Sequence, residues 1–183
     1  QGSNPLSPAE VAAIGLMAAG AATPADANSG AAAEVLRLYT SKSGKYKVKF
    51  PQRAELTESV SEPEDGPKTY NLFAFVPSPK AVYAVMYFDV AKKPASAKRA
   101  VNDMGEALRG KGKTISTEDL DLDDPEAVGK EWVVELSNAF FRYHVILKGT
   151  RAYHVALMAE DEDTVTGADA DKFFASFTLL EDE

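Results

Sequence analysis

Glu131–Met158 reads EWVVELSNAFFRYHVILKGTRAYHVALM, and the fold turns on this stretch. If Ala139–Lys148 is extended, one side carries Phe141, Tyr143, Val145 and Leu147. The other side carries Phe140, Arg142, His144, Ile146 and Lys148. Ala152–Met158 is apolar at almost every position. Between the two runs, Lys148-Gly149-Thr150-Arg151 has the composition of a tight turn. Aromatic and β-branched side chains suit the pleated surface of a strand. Strands apolar on both faces need cover on both faces, and helices packed against a sheet supply it. Each large side chain buried there stabilises by roughly 1.5–3 kcal/mol before entropy is counted. This hairpin is therefore expected in the middle of a sheet.

Other strands flank it on the N-terminal side. Val35–Ser41 and Lys45–Phe50 read as a hairpin around Ser43-Gly44, ended by Pro51. Arg53–Val60 reads as a polar edge strand, and Ser61–Lys68 as an exposed loop with two prolines. Tyr70–Val76 and Ala81–Val90 form the next hairpin, across Pro77-Ser78-Pro79-Lys80. Pro94–Arg109 changes to helical period, with Ala97, Val101, Met104 and Leu108 on one stripe and Gly110 at its end. Lys113–Leu122 and Val128–Ser137 return to strand character, with a turn at Asp123-Asp124-Pro125. Thr166 is the expected cap of a last helix that turns Ala170, Phe173, Phe174 and Phe177 inward, and Thr178–Leu180 a closing strand. Short turns between consecutive strands make the sheet antiparallel. The expected class is α+β, a mainly antiparallel β-sheet with helices on both faces.

Residues 1–34 differ in composition. Leu6-Ser7-Pro8-Ala9-Glu10-Val11 has a capping serine, a proline at the first helical position, and Leu6 and Val11 placed as a staple. A helix to about Ala19, then an Ala-rich linker, is expected ahead of one α+β domain over residues 35–183. The helix is read either as a docking element or as packing on its own domain. The apolar run Val11–Ala22 is roughly 18 Å long as a helix, too short to cross a bilayer core of about 30 Å. Numbering starts at Gln1, so a mature form or a cut fragment is expected.

Composition excludes several functions. The chain has 183 residues and no cysteine, which removes thiol catalysis, disulfides and Cys-based zinc sites. Its net charge of −8 has the wrong sign for non-specific nucleic-acid binding. No G-x-S-x-G, glycine-rich phosphate loop or H-E-x-x-H motif occurs, so neither catalysis nor a cofactor is expected.

Three groups of residues remain as site candidates. His144 and His154 lie on neighbouring strands, and register decides whether they meet. A two-residue turn at Gly149-Thr150 pairs His144 with Val155 and separates the histidines, whereas a three-residue turn brings them side by side. No third ligand is evident nearby, and zinc and copper sites want three or four, so two separate structural histidines are expected. The run Glu118–Glu126 is rich in carboxylates, but Asp119, Asp121 and Asp123 alternate with Leu120 and Leu122 as on a solvated strand face. The glycine and closing glutamate of a calcium loop are missing. Lys92, Lys93, Lys98, Arg99, Arg109, Lys111 and Lys113 gather about the Pro94–Arg109 helix, opposed within it by Asp103 and Glu106. In so acidic a chain this reads either as a docking patch for an acidic partner or headgroup, or as a solvated helix face.

Tyr46-Lys47-Val48-Lys49-Phe50-Pro51, the strand pair before Pro94–Arg109, Arg151-Ala152-Tyr153-His154-Val155 and Phe173-Phe174-Ala175-Ser176-Phe177 together make a pattern. In these parts, over roughly residues 38–181, the chain resembles the PsbP/Mog-like family. The resemblance implies an antiparallel sheet between helical layers and non-enzymatic binding roles. Members include extrinsic photosystem II subunits, a nuclear-import factor that binds a small GTPase, and bacterial envelope proteins. The expected function is a non-catalytic binding or assembly module of the bacterial cell envelope, periplasmic or otherwise extracytoplasmic, engaging a protein partner through the seven basic residues, the N-terminal helix or both; contact with a membrane surface, without insertion, is compatible with it. The alternative is a small-ligand or metal-binding protein with a cleft between sheet and helix. A cleft of roughly 300 Å³ or more with convergent polar groups favours a ligand, and a broad patch without one favours a partner.

Overall fold

The computed structural model describes residues 34–77 and 79–181. The helix expected from Leu6 and most of the linker lie outside them. The hairpin comes first in the architecture as it did in the sequence: β8 (Phe140–Lys148) and β9 (Arg151–Ala159) pair antiparallel. Lys148 faces Arg151, and Gly149 turns the chain at φ 61°. A positive φ is favourable for a residue without a Cβ, which is why glycine holds this turn. The turn therefore has two residues, and His144 pairs with Val155.

Seven strands form the large sheet in the order β3-β4-β5-β9-β8-β7-β6, with every neighbouring pair antiparallel. One half is the meander β3 (Glu55–Ser61), β4 (Thr69–Pro77) and β5 (Lys80–Asp89). The other half is the meander β6 (Lys113–Asp119), β7 (Ala127–Glu135), β8 and β9. The meanders join where β5 pairs with β9, which leaves β9 central.

Both faces of β9 are covered. Tyr153, Val155, Leu157 and Ala159 join one core, and Ala152, Ala156 and Met158 join the other. Helix α1 (Ala97–Arg109), capped by Ser96, covers the second face with Val101 and Leu108. It sits close because residue 105 is glycine: a Cβ there would lie 2.1 Å from the Trp132 ring. The Tyr143 hydroxyl donates to the Gly105 carbonyl at 2.7 Å.

The first face is covered by more than helices. A separate small sheet, β1-β2-β10, is built from β1 (Leu36–Ser41), β2 (Tyr46–Pro51) and β10 (Thr178–Leu179). It packs beside α2 (Glu162–Thr166) and α3 (Ala168–Ser176), adding Tyr46, Val48 and Phe50 to the core with Phe173 and Phe174. The architecture is thus the expected α+β arrangement, with helices on both faces and a second sheet besides.

Two local expectations need correction. Thr166 caps no helix: it ends α2, and its hydroxyl donates to the Glu162 carbonyl at 2.9 Å. Asp161 caps α2 instead, accepting from the Thr164 backbone N–H at 2.8 Å, and α3 starts from Gly167. Thr166 lies within α2 and bonds back to its own helix, so its side chain makes no cap for α3. Strand β6 stops at Asp119, short of Leu122. The alternation nevertheless persists, with Leu120 and Leu122 half-buried and Asp121 and Asp123 exposed. No helix among the described residues is long and apolar enough to cross a membrane.

Candidate functional site

On β8 the side chains of Arg142, His144 and Ile146 share one face, two residues apart. Strand β7 places Glu131 directly opposite His144. The Glu131 carboxylate Oε2 accepts from His144 Nε2 at 2.6 Å and from Arg142 Nε at 2.8 Å. A carboxylate anion only accepts, so the His144 ring carries its proton on Nε2. Arg142 reaches onward from Nη1 to Asp171 of α3 at 2.7 Å and to the Val165 carbonyl at 3.3 Å. The Phe174 ring closes the group, 4.6 Å from the guanidinium and 4.4 Å from the His144 ring.

The side chains of Arg142, Glu131 and His144 are 13%, 14% and 10% exposed, so their mutual attraction is little screened. Burial pushes the Glu131 carboxyl upward, but the hydrogen bonds from His144 and Arg142 outweigh it and hold it below its ordinary value. It is an anion at neutral pH, locked to two donors.

This network floors an open cleft of about 540 Å³. Leu120, Leu122, Ile146, Phe174, Phe177 and Leu179 supply apolar surface, and the acids of residues 118–124 form the opposite rim. Two rim acids are occupied: Asp119 by Lys98 at 3.0 Å and Asp124 by Lys148 at 2.7 Å. Those lysines hold both carboxyls below the usual range. The acidic run read as a solvated face is solvated on one side only, because its leucines turn into the cleft.

His154 lies on the other face of the sheet, its ring edge-on to Phe88 at 5.3 Å. Its buried Nε2 has no hydrogen-bond partner among the described residues. The histidines therefore share no ligand. No group of three His, Asp or Glu among the described residues is spaced to hold a metal ion.

The seven basic residues fall into two sets at opposite ends of α1. A helix of 13 residues separates them by roughly 18 Å. Lys98 pairs with Asp119, Arg99 with Asp103 at 3.9 Å, Arg109 with Glu106 at 2.9 Å and Lys113 with Glu135 at 3.5 Å. Lys92, Lys93 and Lys111 make no ion pair among the described residues. Asp119 and Glu135 come from β6 and β7, so the helix sequence alone undercounted the opposing acids. The sequence reading also missed Glu131, Arg142 and Asp171. Arg142 showed as a charge inside an otherwise apolar strand, whereas Glu131 and Asp171 sit beside other charges and gave no such signal.

No protein-family model matches this chain, and no curated protein does. Among solved structures, the solution structure of cyanobacterial PsbP (CyanoP) from Synechocystis sp. PCC 6803 matches with a TM-score of 0.52. The match covers 86% of this chain and 100% of that one, at 14% identity. The fold is PsbP-like. At that identity the likeness is one of fold, so the roles of the cleft residues in this PsbP-like chain rest on its own geometry.

Proposed function

We propose that this protein is a non-catalytic binding module that captures a protein partner, and that the acidic cleft is where the partner seats. The observation that carries the reading is the meeting of an apolar floor and a pre-arranged polar network in one open cleft of about 540 Å³. A cleft of this size and make-up meets the criterion for a ligand site, and the reading here is that the ligand is a projecting segment of a protein. The polar network is arranged before anything binds: Glu131 accepts from His144 and Arg142, and Arg142 donates on to Asp171. The PsbP-like fold lends support by analogy. A location in the bacterial cell envelope belongs to the same proposal and rests on that analogy. Fractionation of source cells tests it, and recovery of the chain in the cytosolic fraction would remove it.

The basic residues offer a second surface. Lys92, Lys93 and Lys111 are the members left to meet an acidic partner, while Lys98, Arg99, Arg109 and Lys113 would first have to give up the acids they hold.

Two variants separate the surfaces. Ala175 is exposed on α3 and lines the cleft, so Ala175→Trp fills the mouth without entering the core. Lys92→Glu, Lys93→Glu and Lys111→Glu together reverse the free basic positions. Both are compared with the parent chain as bait in an extract of the source cells. A stoichiometric protein lost with Ala175→Trp and kept by the lysine variant is the expected result. The opposite pattern moves the interface to the ends of α1. If no protein is captured, the partner reading fails, and native mass spectrometry then asks whether a small molecule occupies the cleft.

A further inference from the structure

A second cleft, of about 360 Å³, opens between the small sheet and the β3–β4–β5 side of the large one. Four of the chain's seven tyrosines line it: Tyr39, Tyr46, Tyr70 and Tyr87. They come from four strands and make a continuous run of rings, in which Tyr46 and Tyr87 are buried while Tyr39 and Tyr70 reach the surface. Tyr70 and Tyr87 are cross-strand partners whose rings stack at 4.8 Å, 10° from parallel. Tyr87 meets Tyr46 edge-on at 6.1 Å, and Tyr46 meets Tyr39 at 6.3 Å. Across from them stands Glu58 of edge strand β3, which accepts a hydrogen bond from the Tyr39 hydroxyl.

Glu58 is the one formally charged side chain among the lining residues. An anion would meet a carboxylate among the lining residues, and the two cations nearby, Lys68 and Arg151, are already held by Glu62 and Asp89. A small hydrated metal ion would find a single carboxylate where it needs several oxygens. A cation that sheds water easily is the chemistry that remains, because the face of each ring carries negative potential. The protein already satisfies two of these rings in this way at the margin: Lys68 Nζ lies 5.7 Å from the Tyr70 centroid, and the Arg151 guanidinium 5.1 Å from that of Tyr87. Tyr39 and Tyr46 stay neutral, since burial and then Glu58 push the Tyr39 hydroxyl up to about 12, and burial likewise pushes Tyr46 up.

We infer that this tyrosine-lined cleft binds a small organic cation of the quaternary-ammonium class, held by the accessible Tyr39 and Tyr70 rings and the Glu58 carboxylate. The volume lies near the low end for small-ligand sites, which suits a headgroup rather than a large cofactor. The inference is independent of what the acidic cleft binds.

The test is an amide-resolved NMR titration of the full chain with choline chloride and, separately, with its neutral isostere, in which carbon replaces the charged nitrogen. Choline is expected to shift amides around Glu58 and Tyr70, and to bind at least about fivefold more tightly than the isostere. Glu58→Gln, which keeps the shape, and Tyr70→Leu, at the rim, are each expected to weaken choline about three- to tenfold. A tyrosine cluster that served packing alone would show no preference between choline and the isostere. Co-sedimentation with phosphatidylcholine vesicles, against phosphatidylglycerol vesicles, distinguishes a lipid headgroup from a free ligand. Equal binding of the isostere, shifts confined to the acidic cleft, or no response to choline or to the phosphatidylcholine vesicles would overturn the inference. So would a neutral hexose that shifts these amides when choline does not.

Discussion

His154 shows how much one buried polar atom can contribute. Burial pushes its pKa down to about 4, against about 6.5 in an unfolded chain. Between those values the unfolded state binds the extra proton, so stability rises with pH across the window. The contribution is fully present above about pH 6.5 and is lost as pH falls towards 4. The full difference is on the order of 3 kcal/mol. Glu131 and Asp89 are held low by His144 with Arg142, and by Arg151, and their contributions are lost only below the ordinary carboxylate range. Urea titrations at stepped pH check this: His154→Leu should flatten the slope between pH 6.5 and 4 and leave the steeper acid limb. At pH 7 the same variant should be neutral or slightly stabilising, since it removes an unpaired buried nitrogen. An unchanged slope would mean that His154 is solvated in the native state.

Elements are tied together by Arg142, which links β7, β8 and α3. Its two acidic partners differ in burial: the Glu131 side chain is 14% exposed and that of Asp171 is 62% exposed. Removing the arginine leaves a desolvated carboxylate with the His144 N–H as its remaining donor, a loss of up to about 3 kcal/mol for a buried pair. Removing Asp171 breaks an exposed pair worth less than about 1 kcal/mol. Arg142→Met is therefore expected to destabilise several times more than Asp171→Asn in equilibrium urea unfolding. Equal losses would show that the arginine acts mainly by tethering α3. The sequence displayed these charges without their connection. Pairing Glu131 with His144 requires the register of the β7–β8 hairpin, and Asp171 arrives from a helix almost thirty residues later.

For the whole molecule, the two ends of the described domain meet in the small sheet. Thr178 and Leu179 of β10 pair with Lys47 and Tyr46 of β2, and the Leu180 N–H donates to the Lys45 carbonyl at 2.8 Å. Without β10 the small sheet is a two-stranded hairpin, which is marginal in water. Truncation after Phe177 is expected to lower the melting temperature by several degrees and to speed amide exchange in β1 and β2 first. Uniform loss of protection across β4, β5 and β9 would show instead that the closing strand supports the entire fold.

The organising hairpin was legible because alternation and two-sided apolarity leave a strand little choice but the middle of a covered sheet. The length of the turn at Gly149-Thr150 then fixed which histidine pairs with what, though the residues alone left both registers open. Helix α1 was equally plain, since its apolar stripe has a period no strand shares. The sequence also determined the alternation of Leu120 and Leu122 with the aspartates around them. That those aspartates rim a cleft rather than a flat wet face was decided by tertiary structure, because sheet order carries β6 to the edge opposite α3 and β10. Four tyrosines scattered over residues 39–87 became one wall for the same reason. Local pattern is set by a residue's neighbours in the chain, whereas a site is set by which distant segments bury one another.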